Sequence, residues 1–492
     1  MMGRSILAYI PVNIANLIVS FGAIAILTRL LTAAEFGRYA LAMITMLAFH
    51  MLCMTWLEAA MERFRARAER EGDVASHLKT LYKYGVFTSA LFWALFMTAL
   101  AFIPMDTGLK TAIMFANTST CLQLFLNLGL EAHKASHRIK RYSATFTAKQ
   151  ILGFVFGIGL ILFTPLREAA PFLGIVLAVI ICLIFDLPFM LKRMRGGTAE
   201  PERIKAYFKY GMPISISLVL TYALASGDMY IISAMMGDAS AGEYNAGYNL
   251  ANRSLDMIFV WIAMAVTPIA VTAMEKEGLE ESKSVMKDYG AALLWIAMPA
   301  ATGIALVAEP AGFILGEAVR DEAVKIMPLI AFAGVLNGMI SYYAQRAFML
   351  SGKTQMFVWA MVPPVILNIG MNIILIPKFG LMGAVYATVA AYALGFVMAV
   401  IVGRRYYPLP LPVKAFMQIS FACLVMAGVV MALPISNTMP DLIEIMISAS
   451  VGVTVYGLIC FGIDAANCRE LIKGLVTKFR GKSSMAPSEV TP

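Results

Sequence analysis

Residues 170–191 read APFLGIVLAVIICLIFDLPFML and contain a single charged side chain, Asp186. A helix that crosses the bilayer core, which is about 30 Å thick, needs about 20 predominantly apolar residues. This stretch therefore predicts a transmembrane helix. The whole chain agrees with this prediction, because it is 60% hydrophobic and 14% charged, whereas a soluble domain carries about 25% charged residues.

Thirteen further apolar runs of similar length lie before and after this stretch. The connections between them are short, and none is long enough to fold as an independent soluble domain. The sequence therefore predicts an all-α integral membrane protein with about 14 transmembrane helices. The predicted runs are 6–28, 38–60, 84–103, 111–131, 143–164, 170–191, 211–236, 244–272, 288–308, 325–346, 356–376, 381–402, 414–433 and 441–463.

Lys and Arg residues lie mainly on one side of the predicted membrane. With the N-terminus placed inside, 30 of the 39 fall in inner segments and 7 in outer segments, while Lys149 and Arg253 lie within helices. Basic residues accumulate in cytoplasmic loops, so both termini are predicted to be cytoplasmic. This topology accounts for the net charge of +9, and no nucleic-acid partner is expected.

Two segments that begin successive helices resemble each other: Phe36–Ala42 reads FGRYALA and Ala241–Gly247 reads AGEYNAG, 205 residues later. Gly174 and Gly383 match at an offset of 209. Both offsets span about six helices, and an even number preserves orientation. The pattern predicts parallel repeats related by an axis along the membrane normal, with chance coincidence of Gly and Tyr as the alternative.

The repeat predicts two pseudo-symmetric six-helix lobes and a C-terminal helix pair. We expect an N-lobe at 1–195, a C-lobe at 196–410, the helix pair at 411–465 and a cytoplasmic tail at 466–492. The end of this tail is rich in Ser, Pro and Gly and is expected to be disordered.

The eighth predicted helix carries a polar stripe. Spacings of four, three and four residues place its members on one face. They are Asn245, Asn249, Asn252 and Asp256, with Arg253 beside them. The positions 205 residues earlier are apolar, so the repeat itself does not require the stripe. We predict that it lines a water-filled cavity and binds substrate; polar packing between helices is the alternative.

Asp228 lies in the seventh predicted helix at a depth similar to that of Arg253. A charge at mid-bilayer costs about 2.5–3.5 kcal/mol on the insertion scale, so each one needs a reason. For Asp228 and Asp256 the alternatives are an ion pair or a site for a coupling ion. A cavity that offers cations and amide groups suits an anionic cargo rich in hydroxyl groups.

Three further basic residues are candidates for binding. Lys149, in the inner third of the fifth predicted helix, either extends to the membrane surface or contacts an anion, and we include it among the cavity residues. Arg29 and Arg38 flank the first outer loop, where they bind lipid headgroups or anchor the helix ends.

Metal and cofactor sites are not expected. Six scattered cysteines show no CxxC spacing and are predicted to be buried small hydrophobes without disulfides. His133 and His137 lie four residues apart in a basic loop, where a solvated pair is favoured over a metal site.

Residues 351–354, SGKT, resemble the end of a phosphate-binding loop, but the required Gly at 347 is Ala, so this loop is rejected. The Asp-x-Asp, Gly-x-Ser-x-Gly and His-Glu-x-x-His motifs are also absent from the sequence, so the protein is not expected to be an enzyme.

Several short motifs resemble those of bacterial oligosaccharide-lipid flippases of the multidrug/oligosaccharidyl-lipid/polysaccharide (MOP) exporter superfamily. Thr28–Leu31, TRLL, followed by Glu35–Tyr39, EFGRY, is similar to the first outer loop of that family. Asn372–Ala384, NIILIPKFGLMGA, resembles its eleventh-to-twelfth helix signature. Ala241–Tyr244 and Gln345–Phe348 also fit. The likeness extends over essentially all of the chain.

This resemblance implies two lobes in a V shape around a central cavity. It implies export of an undecaprenyl-diphosphate-linked oligosaccharide across the inner membrane by alternating access, the cargo being an O-antigen, exopolysaccharide or capsule unit. The lipid tail would enter between the first and eighth helices. Implied partners are membrane lipids, a proton or sodium ion and other polysaccharide assembly proteins. Family members commonly have a basic residue after the position of Asp228, where this chain has Met229.

Three other functions are weighed against this one. The first is a drug or cation antiporter of the same superfamily. Such antiporters are similar to chains of 12 helices with acidic residues in the core of the first lobe, whereas the first helix here has no Asp or Glu. The second is a lipid II flippase. Such flippases are similar to chains with an Arg deep in the first helix, whereas in this chain Arg4 and Arg29 lie at the ends of that helix. A membrane glycosyltransferase would need a large outer loop with catalytic acids, which is absent from the sequence.

Overall fold

The structure is a computed structural model that describes residues 2–433 and 439–469, without the side chains of residues 2–10, 265 and 268. Secondary structure in this part of the chain is helical throughout, without strands. It contains 14 helices long and apolar enough to cross a membrane. The predicted fold class is therefore confirmed. The predicted disorder at the end of the tail lies outside the described residues.

The α-helices follow one another with short connections. They are α1 (Met2–Leu30), α2 (Ala33–Cys53), α3 (Thr55–Arg70), α4 (Val74–Phe102), α5 (Thr107–Ala135), α6 (Ile139–Phe163), α7 (Ala170–Arg193), α8 (Pro201–Ser226), α9 (Asp228–Met236), α10 (Asp238–Lys276), α11 (Leu279–Leu306), α12 (Ala308–Ala311), α13 (Glu317–Gly338), α14 (Gln345–Leu350), α15 (Thr354–Phe379), α16 (Leu381–Gly403), α17 (Val413–Met431) and α18 (Asp441–Ile463). A π-helical turn, Met339–Ala344, joins α13 to α14.

Two predicted helices end at other positions in the structure. The run predicted at 38–60 ends at Cys53, and a separate helix, α3, follows with its charged residues. The run predicted at 211–236 is interrupted at Gly227, between α8 and α9. Apolar composition alone does not reveal these breaks, because the residues immediately before and after each break are mostly apolar.

The helix that carries the polar stripe, α10, is 39 residues long and extends beyond the predicted 244–272. Glycines in the left-handed region precede and follow it: Gly237 and Gly278 both have a φ of 92°. Glycine adopts this conformation without the steric penalty of a Cβ atom. These two residues therefore define the ends of α10.

Contacts divide the chain into two units. Unit 1 comprises Met1–Leu250, Phe313–Ile326 and Val358–Ala391, and unit 2 comprises Ala251–Gly312, Met327–Phe357 and Tyr392–Pro492. These ranges are not continuous along the chain. The division into lobes at 1–195, 196–410 and 411–465 stays a prediction.

Close helix packing in unit 1 depends on glycines spaced four residues apart. Gly153 and Gly157 lie on α6 and face Gly174 on α7. A Cβ atom on Gly174 would overlap the backbone nitrogen of Gly157 and lie 2.8 Å from the carbonyl oxygen of Gly153. Small residues at such spacing let membrane helices approach closely.

In unit 2, α11, α17 and α18 surround an apolar groove of about 540 Å³. Tyr456 on α18 donates a hydrogen bond to the carbonyl oxygen of Trp295 on α11, at 2.7 Å. This bond satisfies the phenol hydroxyl within otherwise apolar surroundings.

The six cysteines are buried and free, as predicted. The prediction of a solvated histidine pair is wrong for His133, which is fully buried. Its Nε2 atom lies 2.8 Å from Asp186 Oδ1 on α7, and Arg141 Nε donates to the same oxygen at 3.0 Å. The acidic partner lies 53 residues away in the sequence, so the local pattern around the histidine could not reveal it.

Candidate functional site

The polar stripe lies on α10, and its contacts change along the helix. Within unit 1, Asn249 Nδ2 donates a hydrogen bond to the carbonyl oxygen of Asn245 at 3.0 Å. Within unit 2, Asn252 packs against Gly334, where an added Cβ atom would lie 2.9 Å from Asn252 Oδ1. All three asparagine side chains are half-buried.

Arg253 and Asp256 are exposed on the same helix. The hydroxyl of Tyr342 donates a hydrogen bond to Asp256 Oδ1 at 2.8 Å. The Tyr342 ring stacks on Phe259, with ring centroids 5.8 Å apart. The structure thus places a guanidinium group on the exposed side of a membrane-length helix.

Asp228 is buried at the start of α9. Its Oδ2 atom accepts hydrogen bonds from the hydroxyls of Tyr244, at 2.5 Å, and Thr388, at 3.1 Å. These partners lie on α10 and α16, so one carboxylate joins three helices of unit 1. The arrangement orders the beginning of the stripe helix.

Lys149 belongs to a polar network at the centre of unit 1. Its Nζ atom donates to Gln123 Oε1 at 3.4 Å and lies 5.3 Å from the centre of the Phe146 ring. The neighbouring Gln150 donates from Nε2 to Asn16 Oδ1 at 3.0 Å. The network therefore joins α6 to α5 and to α1.

Glu58 and His50 extend this network, and neither was among the residues predicted from the sequence. His50 Nε2 lies 3.1 Å from Glu58 Oε2, and Asn127 Nδ2 donates to Glu58 Oε1 at 2.9 Å. Glu58 and Lys149 also attract each other electrostatically. The signal was present in the sequence, because both residues lie inside the apolar run predicted at 38–60.

A polar cavity of about 680 Å³ opens beside Glu58 in unit 1. Three carboxylates contribute to its lining, together with one guanidinium group. Its lining residues are Thr55, Glu58, Ala59, Glu62, Arg63, Ala66, Glu131, Tyr210 and Ile214. Glu131 is paired with Lys134 at 2.7 Å and Glu58 with His50 at 3.1 Å, so groups outside the lining offset part of its negative charge.

Arg29 and Arg38, the two arginines that flank the first predicted outer loop, both contact protein groups. Arg29 Nη2 donates to the carbonyl oxygen of Phe313 at 2.6 Å. Arg38 Nε donates to Glu168 Oε1 at 2.6 Å and lies 3.3 Å from Asp106 Oδ1. These contacts agree with the role of anchoring helix ends, which was one of the two alternatives.

The sequence model of a family described as polysaccharide biosynthesis protein matches residues 2–274 of the chain. A curated relative, the probable low-salt glycan biosynthesis flippase Agl15 of Haloferax volcanii, is 21% identical over 280 residues. This match covers 56% of the chain and 58% of the relative, so the chain spans less than two thirds of that protein's length.

Several solved structures share the fold. The lipid II flippase MurJ, in an inward closed conformation, matches with a TM-score of 0.73 and 15% identity over 95% of this chain and 100% of its own. An inward-facing multidrug resistance MATE family transporter of the MOP superfamily matches with a TM-score of 0.62 and 12% identity, over 79% of this chain and 98% of its own. A MOP superfamily transporter from Pyrococcus furiosus matches with a TM-score of 0.56 and 12% identity, over 81% and 94%.

Proposed function

Because the chain belongs to the polysaccharide biosynthesis protein family, we propose that it is a flippase that moves a lipid-linked oligosaccharide across a membrane. The family model agrees with the resemblance to oligosaccharide-lipid flippases, and a solved transporter of the MOP superfamily shares the fold. The observation that carries the proposal is the polar face of α10. Arg253 is exposed there, close along the helix to the half-buried amides of Asn249 and Asn252.

The chemistry of this face suits a sugar linked to a lipid through a diphosphate. A guanidinium group forms charge-assisted hydrogen bonds with phosphate oxygens. Asparagine amides both donate and accept, so they can pair with sugar hydroxyls. We propose an undecaprenyl-diphosphate-linked oligosaccharide as cargo, exported across a bacterial inner membrane by a protein with both termini in the cytoplasm.

Transport would proceed by alternating access between two lobes. The cargo shifts the equilibrium between the two conformations only by its differential affinity for them. The Gly316 backbone nitrogen donates to Thr28 Oγ1 at 2.9 Å, so α1 is joined to the segment before α13. Both residues belong to unit 1.

We propose that Glu58 binds the coupling ion, either a proton or sodium, and that His50 and Lys149, which attract its carboxylate, adjust its affinity for that ion. These three titratable groups interact within the helices of unit 1. A change in the charge of Glu58 alters its attraction to both cations and so alters the packing of α2, α3 and α6. This coupling would supplement the downstream use of the cargo, which also removes it from the outer leaflet.

A deletion strain tests the cargo class. We expect the lipid-linked precursor to accumulate on the inner leaflet and the surface glycan to disappear, with both restored by the wild-type chain. Unchanged surface glycan would contradict the proposal.

The three carboxylates that line the cavity beside Glu58 favour one second candidate, a cation antiporter of the same superfamily. These carboxylates lie in the first half of the chain. Antiporters of this superfamily are similar to chains that carry acidic residues in the core of the first lobe. That function predicts sensitivity of the deletion strain to cationic dyes, with no change in glycan.

A further inference from the structure

Arg65 is a fully buried arginine in unit 1, with a relative exposure of 1%. It lies on α3, close to the connection between α5 and α6 and to the end of α7. Its Nη2 atom donates to Ser136 Oγ at 3.0 Å, and Arg193 Nη2 donates to the same oxygen at 3.3 Å. Two guanidinium groups therefore share one neutral acceptor.

Ser136 cannot satisfy the remaining donors of these groups. Its hydroxyl donates to the carbonyl oxygen of Ala132 at 2.8 Å, while its oxygen accepts from both arginines. The Nε and Nη1 atoms of Arg65 and the Nη1 atom of Arg193 are buried without an acceptor among the described residues. Buried donors of a charged group are strongly disfavoured unless an acceptor is present.

The surroundings of Arg65 and Arg193 are strongly positive. The carboxylate of Glu69 lies 3.9 Å from Arg65, and its side chain is 58% exposed. Asp186, the nearby buried acid, is already bonded to His133 and Arg141.

Three guanidinium groups also surround a single aromatic ring, that of Phe189 on α7. The carbon atoms of the guanidinium groups of Arg138, Arg141 and Arg193 lie 4.9, 4.0 and 5.8 Å from its centre. Arg65 and Arg138 both repel the charge on Arg193. The excess charge and the unused donors point to the same missing component, an anion with several oxygen acceptors.

We propose that Arg65 and Arg193 form a binding site for a phosphate group. Guanidinium groups bind phosphate oxygens through paired hydrogen bonds, and the three unused donors match such a ligand. The site lies on the side of unit 1 predicted to be cytoplasmic, on elements other than α10. The phosphate group would come from the headgroup of an anionic phospholipid of the inner leaflet or from soluble phosphate.

Thermal unfolding of the purified full-length chain tests this site. In a neutral detergent, inorganic phosphate should raise the unfolding temperature above that in chloride at matched ionic strength, because a ligand that binds only the folded state stabilises it. Nanodiscs of phosphatidylcholine, with and without phosphatidylglycerol, provide the lipid arm. Stabilisation by phosphatidylglycerol alone identifies a headgroup, and stabilisation by inorganic phosphate identifies a soluble ligand.

The variants are Arg65→Gln and Arg193→Gln, with Arg195→Gln as the matched control because Arg195 is exposed two residues beyond α7. We expect the affinity for the stabilising ligand to fall by about tenfold or more in the two site variants, which corresponds to about 1.4 kcal/mol, and to stay unchanged in the control. If Arg65→Gln does not fold, Arg193→Gln decides. Absence of stabilisation by either ligand, or equal stabilisation of wild type and Arg193→Gln, would overturn the proposal.

Discussion

Gly37 on α2 and Gly242 on α10 pack against each other, and each faces the first residue of the other helix. A Cβ atom on Gly37 would overlap the carbonyl oxygen of Asp238, and one on Gly242 would overlap that of Ala33. The two glycines are 205 residues apart, and so are Ala33 and Asp238. This reciprocity is what a two-fold axis between equivalent segments produces, and it favours the repeat predicted from the sequence.

This contact leads to a prediction about export. Gly37→Ala should prevent the close approach of α2 and α10 and reduce surface glycan in a complemented deletion strain, because the proposed transport needs these two helices in place. Gly370→Ala is the control, since a Cβ atom there meets no other atom within 4 Å. If Gly37→Ala supports full export while it is present in the same amount as the control variant, the close contact is not needed.

The junction of α6 and α7 allows a stability test. Gly174→Ala should lower the unfolding temperature, because its Cβ atom overlaps the backbone of Gly157. Gly159→Ala, on α6 but with open space around it, should leave stability unchanged or raise it, since Ala favours a helix over Gly by about 1 kcal/mol. Equal unfolding temperatures for the two variants would argue against the packing described.

Removal of the Asp228 carboxylate should destabilise unit 1. Asp228→Ala leaves the buried hydroxyls of Tyr244 and Thr388 without this acceptor, and an unsatisfied buried group costs about 1–3 kcal/mol. Thr388→Val removes one donor and leaves Tyr244 bonded, so it should have the smaller effect. Thermal unfolding of the purified variants measures both, and the reverse order of the two effects would be inconsistent with the hydrogen bonds.

The proposed coupling site predicts a difference between two acids of one cavity. Glu58→Gln keeps an oxygen for Asn127 but removes the charge that attracts His50 and Lys149. We therefore expect reduced glycan export and loss of its dependence on the proton or sodium gradient. Glu62→Gln, an exposed position in the same cavity, should behave as wild type. Wild-type export by Glu58→Gln, with the same response to ionophores, would remove Glu58 from the mechanism.

The number and approximate positions of the membrane helices could be predicted because length and apolar composition are local properties of the sequence. Residues 170–191 illustrate this, since α7 extends from Ala170 to Arg193. The hydrogen bonds of Asp228, next to the break at Gly227, could not be predicted, because its partners lie 16 and 160 positions later.

The positions of polar groups could be predicted only within a single helix. Four residues of the stripe share one face of α10, as their spacing predicted. The burial of His133 against Asp186 and the network around Glu58 depend on partners from other helices. Local sequence patterns do not identify such partners, although His50 and Glu58, two titratable residues inside the apolar run 38–60, mark the position of the second site.

The central claim is most directly tested by measuring flipping in proteoliposomes. The purified chain would be reconstituted with a fluorescent undecaprenyl-diphosphate-linked oligosaccharide, and the fraction accessible to a membrane-impermeant glycan-modifying enzyme would be followed over time. We predict protein-dependent exchange between leaflets that Arg253→Ala reduces by about tenfold or more, as expected for a lost charge-assisted contact, while Arg253→Lys retains part of it. The account would be contradicted if the rate of exchange equalled that in protein-free liposomes, or if it were the same for wild type and Arg253→Ala.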